Sequence, residues 1–332
     1  MKTTRTAVVG VGAQGKRHAQ KLAALGASKL VAVVDINEDR ATAIAAEFGA
    51  EPLTDYRDLI GKVDAVVLAT PTSVHFEIAN PLLRDGIHLL IEKPIVTTVH
   101  EAMELVRLTD ENSLIMQVGH LERFNPAIIA LAKRINDPQF IESHRIAPYK
   151  PRALDVSVVL DLMIHDIDLI RSFVQSPMQR VDAVGRSVFS DSIDVANARI
   201  QFASGCIANV TSSRVSMKTE RTLRIFQADE YVSADLHNKT ATCYAKKGPG
   251  LVTGPEDVMI DKMCFTGGDA MMDQAAAFLD AVAGGSPPLV SGRTATEALE
   301  TAIAIGEAIT TQKSENESTF PGPGASLREA CL

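Results

Sequence analysis

The run Val8-Val9-Gly10-Val11-Gly12-Ala13-Gln14-Gly15 constrains the fold of this chain more than any other feature. It ends one apolar stretch, Thr6–Val9, and opens an amphipathic one, Gln14–Leu25. At a strand-to-helix turn the three glycines have separate tasks. Gly10 permits the tight turn, Gly12 lets the backbone approach a pyrophosphate, and Gly15 lets helix and strand pack closely. The helix that starts at Ala13 and Gln14 offers N–H groups and the positive end of its dipole to phosphates. Glycine spacing by itself also occurs in ordinary turns. Here Asp35 closes the next apolar run, twenty residues past Gly15, where an acid holds the hydroxyls of an adenosine ribose. The combination implies NAD. The Asp35 carboxylate disfavours the 2′-phosphate of NADP, with Arg40 close enough in sequence to work against that preference.

Further short apolar runs follow: Leu30–Val34, Ala65–Ala69, His88–Ile91 and Leu114–Val118. They show little two-residue alternation, as expected of strands buried on both faces of a parallel sheet. Helical segments at Gln14–Leu25, Arg40–Phe48, Val74–Arg84 and Thr98–Glu111 separate them. The series predicts an α/β chain that opens with a doubly wound, Rossmann-type domain. After Gly119 the pattern changes. Helices are expected at Pro126–Ile135 and Val156–Val174. Strands are expected at Val181–Ser187, Ala196–Phe202, Cys206–Ser212, Thr222–Gln227, Glu230–Asp235 and Thr240–Ala245, and two late helices at Asp269–Ala283 and Thr294–Thr311. This predicts an NAD-binding domain over 1–122 and an α+β domain over 123–313 with an open, mostly antiparallel sheet. The breaker-rich stretch Phe320-Pro321-Gly322-Pro323-Gly324 leads to the expectation of a disordered tail over 314–332.

Composition sets the class. With 332 residues the chain is long enough for two cores, and its net charge of −8 argues against non-specific nucleic-acid binding. Cys206, Cys243, Cys264 and Cys331 form no CxxC pair, so neither a metal site nor a disulfide framework is expected. No run approaches the roughly 18 apolar residues of a membrane helix. A cytoplasmic protein with reduced thiols is the expectation.

The candidate chemistry lies at the ends of the strands. Thr70-Pro71-Thr72-Ser73-Val74-His75 leaves the strand ending at Ala69, on the edge where open α/β sheets bind ligands. Thr70, Pro71 and Thr72 are expected to shape the nicotinamide side, with His75 either beside them or merely starting a helix. Glu92-Lys93-Pro94 follows Ile91 in the same way. Proline restricts the backbone of Lys93 and so sets where its side chain emerges. A lysine near an oxidised nicotinamide has a positive neighbour, which lowers its pKa and suits it to accept a hydroxyl proton. Taken alone, Lys93 reads as a solvated loop residue.

Asp161 and His165 are four apart on an expected helix and share a face, with Asp166 and Asp168 nearby. A histidine with carboxylates on an apolar helix is either a catalytic group or a hydrogen-bonded structural one. His120, Glu122, Arg123 and Asn125 follow the last strand of the first domain. They read either as a capped linker, Asn125 capping the helix that opens at Pro126, or as the lining of a substrate cleft. Lys150 and Arg152 are candidates for a diphosphate by charge.

Taken together, Gly10-x-Gly12-x-x-Gly15, Glu92-Lys93-Pro94 and Asp161-x-x-x-His165 resemble the glucose–fructose oxidoreductase, inositol dehydrogenase and rhizopine-catabolism (Gfo/Idh/MocA) family, from about Thr3 to Thr311. The resemblance implies a Rossmann domain followed by an α+β domain whose open sheet builds a homodimer or homotetramer. It implies Lys93 as the proton acceptor, His165 as its partner at the substrate hydroxyl, and Asp161 as a positioning acid, with Glu92 assisting. It also implies a cis Lys93-Pro94 bond. The segments Gly119–Pro126 and Asp155–Asp168 resemble a narrower branch, the bacterial UDP-N-acetylglucosamine 3-dehydrogenases, which make a 3-keto sugar nucleotide for an aminotransferase on the way to a 3-amino sugar of lipid A. That implies a UDP-sugar substrate bound near His120, Glu122, Arg123, Asn125, Lys150, Arg152, Asp161 and His165. The alternatives are a dehydrogenase of the same family acting on another sugar, polyol or inositol, and a non-enzymatic NAD-binding regulator.

Overall fold

A computed structural model describes residues 3–150 and 156–319. Six strands form one all-parallel sheet: β1 (Thr4–Val9), β2 (Ser28–Val34), β3 (Glu51–Leu53), β4 (Ala65–Leu68), β5 (His88–Ile91) and β6 (Met116–Val118). Their order is β3-β2-β1-β4-β5-β6. The strand order reverses between β1 and β4, the switch point at which doubly wound folds bind dinucleotides. Between the strands run α1 (Ala13–Ala24), α2 (Glu38–Phe48), α3 (His75–Arg84) and α4 (Val99–Glu111), and α5 (Pro126–Leu131) follows the sheet. Asn37 caps α2, and Thr98 with Glu101 forms a reciprocal capping box on α4. Both place a side-chain oxygen on the otherwise unpaired N–H groups of a first helical turn. The sequence does not announce β3. It has three residues, one of them Pro52, and it is an edge strand, the place where proline costs no ladder bond.

An eight-stranded sheet adds β7 (Phe140–Ile146), β8 (Met178–Arg186), β9 (Val195–Phe202), β10 (Ile207–Ser213), β11 (Glu220–Phe226), β12 (Glu230–Asp235), β13 (Thr240–Lys246) and β14 (Val258–Cys264), in the order β14-β13-β12-β11-β7-β10-β9-β8. The pairs β8–β9, β9–β10, β7–β11 and β11–β12 are antiparallel, and β7–β10 is parallel. The expected open, mostly antiparallel sheet is thus present. β7 was not expected. Its inward positions are Ile141, Ser143 and Arg145, so two polar residues blur the alternation that marks a strand. Arg145 is tolerated inside because its guanidinium meets the Asp166 carboxylate twice, Nη2–Oδ1 at 2.8 Å and Nε–Oδ2 at 3.0 Å, both side chains being buried. Asp166 lies on α6 (Ile164–Phe173). The helix expected over Val156–Val174 is not regular: Val159–Met163 forms one π-helical turn before α6 begins.

The domain boundary expected at Arg123 is redrawn. One compact unit holds the chain up to Ile135 with Asn238–Ala241 and Lys262–Glu300; the other holds Asn136–His237, Thr242–Asp261 and the chain from Thr301. The late return to the first unit has a packing cause. On α7 (Ala270–Val282), Ala275, Phe278 and Leu279 join Val8, Val11, Ala19 and Leu22 in one buried cluster. The last helix, α8 (Gly292–Thr319), outruns its expected end at Thr311, so the tail does not begin at Ser314. No proline or glycine stands between Thr311 and Pro321 to stop it. The rest of the expected tail lies outside the described residues. Cys206 and Cys243 are buried and Cys264 is exposed. Among the described residues no helix is long and apolar enough to cross a membrane.

Candidate functional site

The glycine loop leaves β1 at the switch point. Gly10 has φ +83°, and a Cβ there would lie 2.8 Å from Thr70. A Cβ on Gly15 would lie 1.7 Å from the Gly10 carbonyl oxygen. Both positions therefore exclude a side chain, one by conformation and contact, the other by contact alone. Gly12 differs: nothing stands within 4 Å of where its Cβ would be, and it caps α1 without a side-chain hydrogen bond. The backbone is thus bare at the helix N-terminus formed by Ala13, Gln14 and Gly15, which fits the pyrophosphate of a dinucleotide.

Asp35, at the end of β2, is buried and already engaged. Its Oδ2 accepts the Val11 amide at 3.0 Å and its Oδ1 accepts the Asn37 amide at 2.9 Å. The acid therefore braces the glycine loop, a task the sequence did not reveal. A carboxylate has about four acceptor positions, so capacity remains for ribose hydroxyls. Arg40 Nη1 lies 3.2 Å from Oδ2, so the residue expected to complicate the choice between NAD and NADP is paired with the residue expected to set it.

The exits of β4 and β5 are locked together. His75 is fully buried. Its Nδ1 faces the carbonyls of Pro94 and Ile95 at 3.1 and 3.0 Å, and its Nε2 faces the Thr70 carbonyl at 2.9 Å. Burial pushes its pKa below the ordinary histidine value, although the three carbonyls oppose that. His75 is therefore packed between the loop after Thr70 and the loop after Lys93, its single N–H directed at a carbonyl of one of them, and with no exposed surface its side chain does not take its expected place facing the cofactor. Thr70 and Thr72 are half-buried and Pro71 is exposed.

Lys93 is half-buried at the end of β5, and its bond to Pro94 is cis. Glu92 points inward. Its Oε1 meets His18 Nε2 at 2.7 Å and its Oε2 accepts the Lys93 amide at 3.3 Å. Burial pushes the Glu92 carboxyl up, but His18 and Lys93 outweigh it and hold the group below its usual value, hence ionised. Sequence reading passed over His18. The available signal was a histidine on the buried face of α1, in line with Gly15, Ala19 and Leu22.

In the same unit His120, Glu122 and Asn125 are buried and Arg123 is half-buried. Asn125 accepts the Ala127 amide at 3.1 Å, capping α5, and donates to Glu122 Oε2 at 3.2 Å. Arg123 donates to the Leu289 carbonyl at 3.4 Å. The capped-linker reading thus accounts for these two bonds of Asn125. In the other unit Asp161 sits half-buried on the π-turn, with His165 half-buried on the first turn of α6. Single π-turns within helices are frequent at functional sites. Asp166 is taken up by Arg145, and Lys150 is exposed. Arg152 lies outside the described residues. Among those residues no group of His, Cys, Asp and Glu could hold a metal ion.

Residues 4–120 match the model of an oxidoreductase family with an NAD-binding Rossmann fold, and residues 134–230 match the Gfo/Idh/MocA C-terminal domain. The chain belongs to the Gfo/Idh/MocA family. Like that family, it is an NAD-dependent dehydrogenase, which sets aside the reading as a non-enzymatic regulator. It is 37% identical to the UDP-N-acetylglucosamine 3-dehydrogenase of Acidithiobacillus ferrooxidans over 92% of this chain and 97% of the relative. It is 29% identical to the scyllo-inositol 2-dehydrogenase (NAD(+)) of Bacillus subtilis over 64% and 68%. The solved structure of the Acidithiobacillus enzyme superposes with a TM-score of 0.87 at 35% identity, covering 94% of this chain and 99% of that one. Scyllo-inositol dehydrogenase from Lactobacillus casei, solved with NAD(H) and scyllo-inositol, shares the fold with a TM-score of 0.78 at 21% identity, over 94% and 98%.

Proposed function

We propose that this Gfo/Idh/MocA dehydrogenase oxidises the C3 hydroxyl of UDP-N-acetylglucosamine to the 3-keto sugar nucleotide. One observation carries the reading: the 37% identity to a UDP-N-acetylglucosamine 3-dehydrogenase extends over 97% of that relative, whereas the inositol dehydrogenase match covers 68% of its counterpart. When bound, NAD supplies the hydride acceptor. Lys93 takes the hydroxyl proton as the C3–H bond gives up its hydride, and the C3–O bond becomes a carbonyl. His165 serves the same hydroxyl and Asp161 orients it. Thr70, Pro71 and Thr72 border the nicotinamide, and Asp35 holds the adenosine ribose. Lys150 and Arg152 hold the diphosphate, since ammonium and guanidinium groups recognise phosphate oxygens. His120 and Arg123 serve the sugar.

On this reading the protein works in the cytoplasm, and an aminotransferase consumes its ketone on the way to a 3-amino sugar. The protein assembles as a homodimer or homotetramer through the eight-stranded sheet. Four rings run in a row across β7, β11, β12 and β13: Phe140 and Phe226 at 5.6 Å, Phe226 and Tyr231 stacked at 4.7 Å, and Tyr231 and Tyr244 stacked at 5.4 Å. Such a half-buried aromatic row supports association.

Incubation with UDP-N-acetylglucosamine and NAD should yield NADH, followed by absorbance. Addition of a 3-keto-sugar aminotransferase should yield a 3-amino product by mass spectrometry. If only free sugars or inositols reduce NAD, the substrate assignment is wrong and the family assignment stands. Titration should show NAD binding more tightly than NADP, with Asp35→Ala narrowing the gap because the repulsion toward a 2′-phosphate is lost while Arg40 remains. Equal wild-type affinity for the two cofactors would remove Asp35 as the selector.

A further inference from the structure

His18 occupies a position where α1 would otherwise carry an apolar residue. It stands one turn past Gly15, packed with Ala19 and Leu22, and is 1% exposed. A polar ring is costly to bury unless its hydrogen bonds are met. One of them is met well: Nε2 lies 2.7 Å from Glu92 Oε1. The ionised carboxylate can only accept, so this nitrogen carries the proton. The other nitrogen, Nδ1, is buried with no hydrogen-bond partner among the described residues. The ring is therefore held in place for a single bond, the one to Glu92.

Glu92 is enclosed on its other sides. A Cβ on Gly119 would come within 2.9 Å of Glu92 Oε2 and 3.0 Å of its Cα, so β6 presses on the acid where it leaves β5. The Glu92 amide donates to the Leu68 carbonyl at 2.9 Å, and the Gly119 amide donates to the Ile91 carbonyl at 2.7 Å. The remaining carboxylate oxygen takes the Lys93 amide. On the far side of Lys93, His75 Nδ1 lies against the carbonyls of Pro94 and Ile95. The backbone of the lysine is thus fastened on both sides by buried histidines, and neither is itself a reacting group. We propose that His18 is a positioning residue for Lys93, acting through the Glu92 carboxylate. The inference rests on the reading of Lys93 as proton acceptor.

The test compares His18→Leu, which keeps the packing and removes the donor, with His18→Gln, whose amide N–H reaches about as far as Nε2. Turnover should fall in His18→Leu by up to ~10²-fold, the scale of a catalytic group misplaced by about an ångström. NAD affinity should stay unchanged, and His18→Gln should recover most of the loss. In a Glu92→Gln background the His18→Leu step should cost far less, since its partner is gone. Equal deficits in the Leu and Gln variants would reduce His18 to packing, and wild-type turnover in His18→Leu would end the proposal. A Lys93→Ala control that keeps its turnover would instead overturn the reading of Lys93, whatever His18 does. A readout that needs no substrate is Tm against pH. Without His18, Glu92 loses the largest contribution that holds its pKa down, so the ionised form gains less from folding as pH rises through the ordinary carboxylate range. The Tm gap between wild type and His18→Leu should widen in that direction, and a gap independent of pH would refute the coupling to Glu92.

Discussion

Lys93→Ala should lower turnover by ~10²–10⁴, the range for loss of a positioned acid–base group, while NAD affinity and Tm change little. The size follows from where the lysine stands. It leaves β5 at the carboxyl end of a parallel sheet, beside the switch point, where open α/β folds hold their ligands. Its backbone is fastened by Glu92 on one side and through Pro94 and Ile95 by His75 on the other. These bonds do not involve the side chain, so truncation should leave them in place. The cofactor contacts proposed at Gly10, Gly12 and Gly15 lie on another loop, which is why binding should survive. His165→Ala should act in the same direction. The two losses should not add, because residues that serve one proton transfer fail together. Steady-state kinetics of the single and double variants, with NAD titrated separately, check this. Near-wild-type turnover in Lys93→Ala would take the lysine out of the reaction.

How much of this was legible in the sequence depends on which residues speak for themselves. The parallel strands other than β3 announced their positions because they are largely buried and their runs are mostly apolar. β7 did not, because Arg145 points inward and only its partner Asp166, twenty-one residues on, makes that tolerable. Spacing rules see neighbours along one element and are blind to such pairs. The same blindness hid the work of Asp35, Glu92 and His75. Each was noticed for its type and place, but each turned out to be bonded to backbone or to a residue distant in sequence. His18 was passed over entirely, since its reason for being polar lies seventy-four residues away. Residue types at strand ends thus pointed to a family of NAD-dependent dehydrogenases, while the bonds that hold those residues stayed hidden.

The strongest of those supports in the second unit leads to the other large effect. Asp194→Ala should destabilise the protein by about 3–5 kcal/mol, the cost of breaking a buried ion pair and leaving one charge behind. Asp194 is fully buried, and its Oδ1 meets Arg214 Nε at 2.8 Å. Its Oδ2 accepts three successive amides, from Val188 at 2.8 Å, Phe189 at 2.7 Å and Ser190 at 3.0 Å, and Ser190 Oγ donates to Oδ1 at 2.7 Å. Arg214 in turn donates to the Val156 carbonyl at 2.7 Å, and the Val158 amide donates to the Ile193 carbonyl at 2.9 Å. The knot therefore ties down the start of the segment that carries Asp161 and His165, so turnover should fall along with stability. The pH dependence follows from the same bonds. Burial alone would raise the Asp194 pKa, but the hydroxyl, the amides and Arg214 together hold it far below the usual carboxylate range. A depressed folded pKa gives stability that is complete above the unfolded pKa of about 3.9 and is lost as pH falls below it. The wild type should therefore lose part of its advantage over Asp194→Ala below about pH 4. Urea midpoints at neutral and acidic pH, with unchanged slope, test both claims. A neutral-pH loss under about 1 kcal/mol, the size of an exposed pair, would show that the knot holds nothing in place.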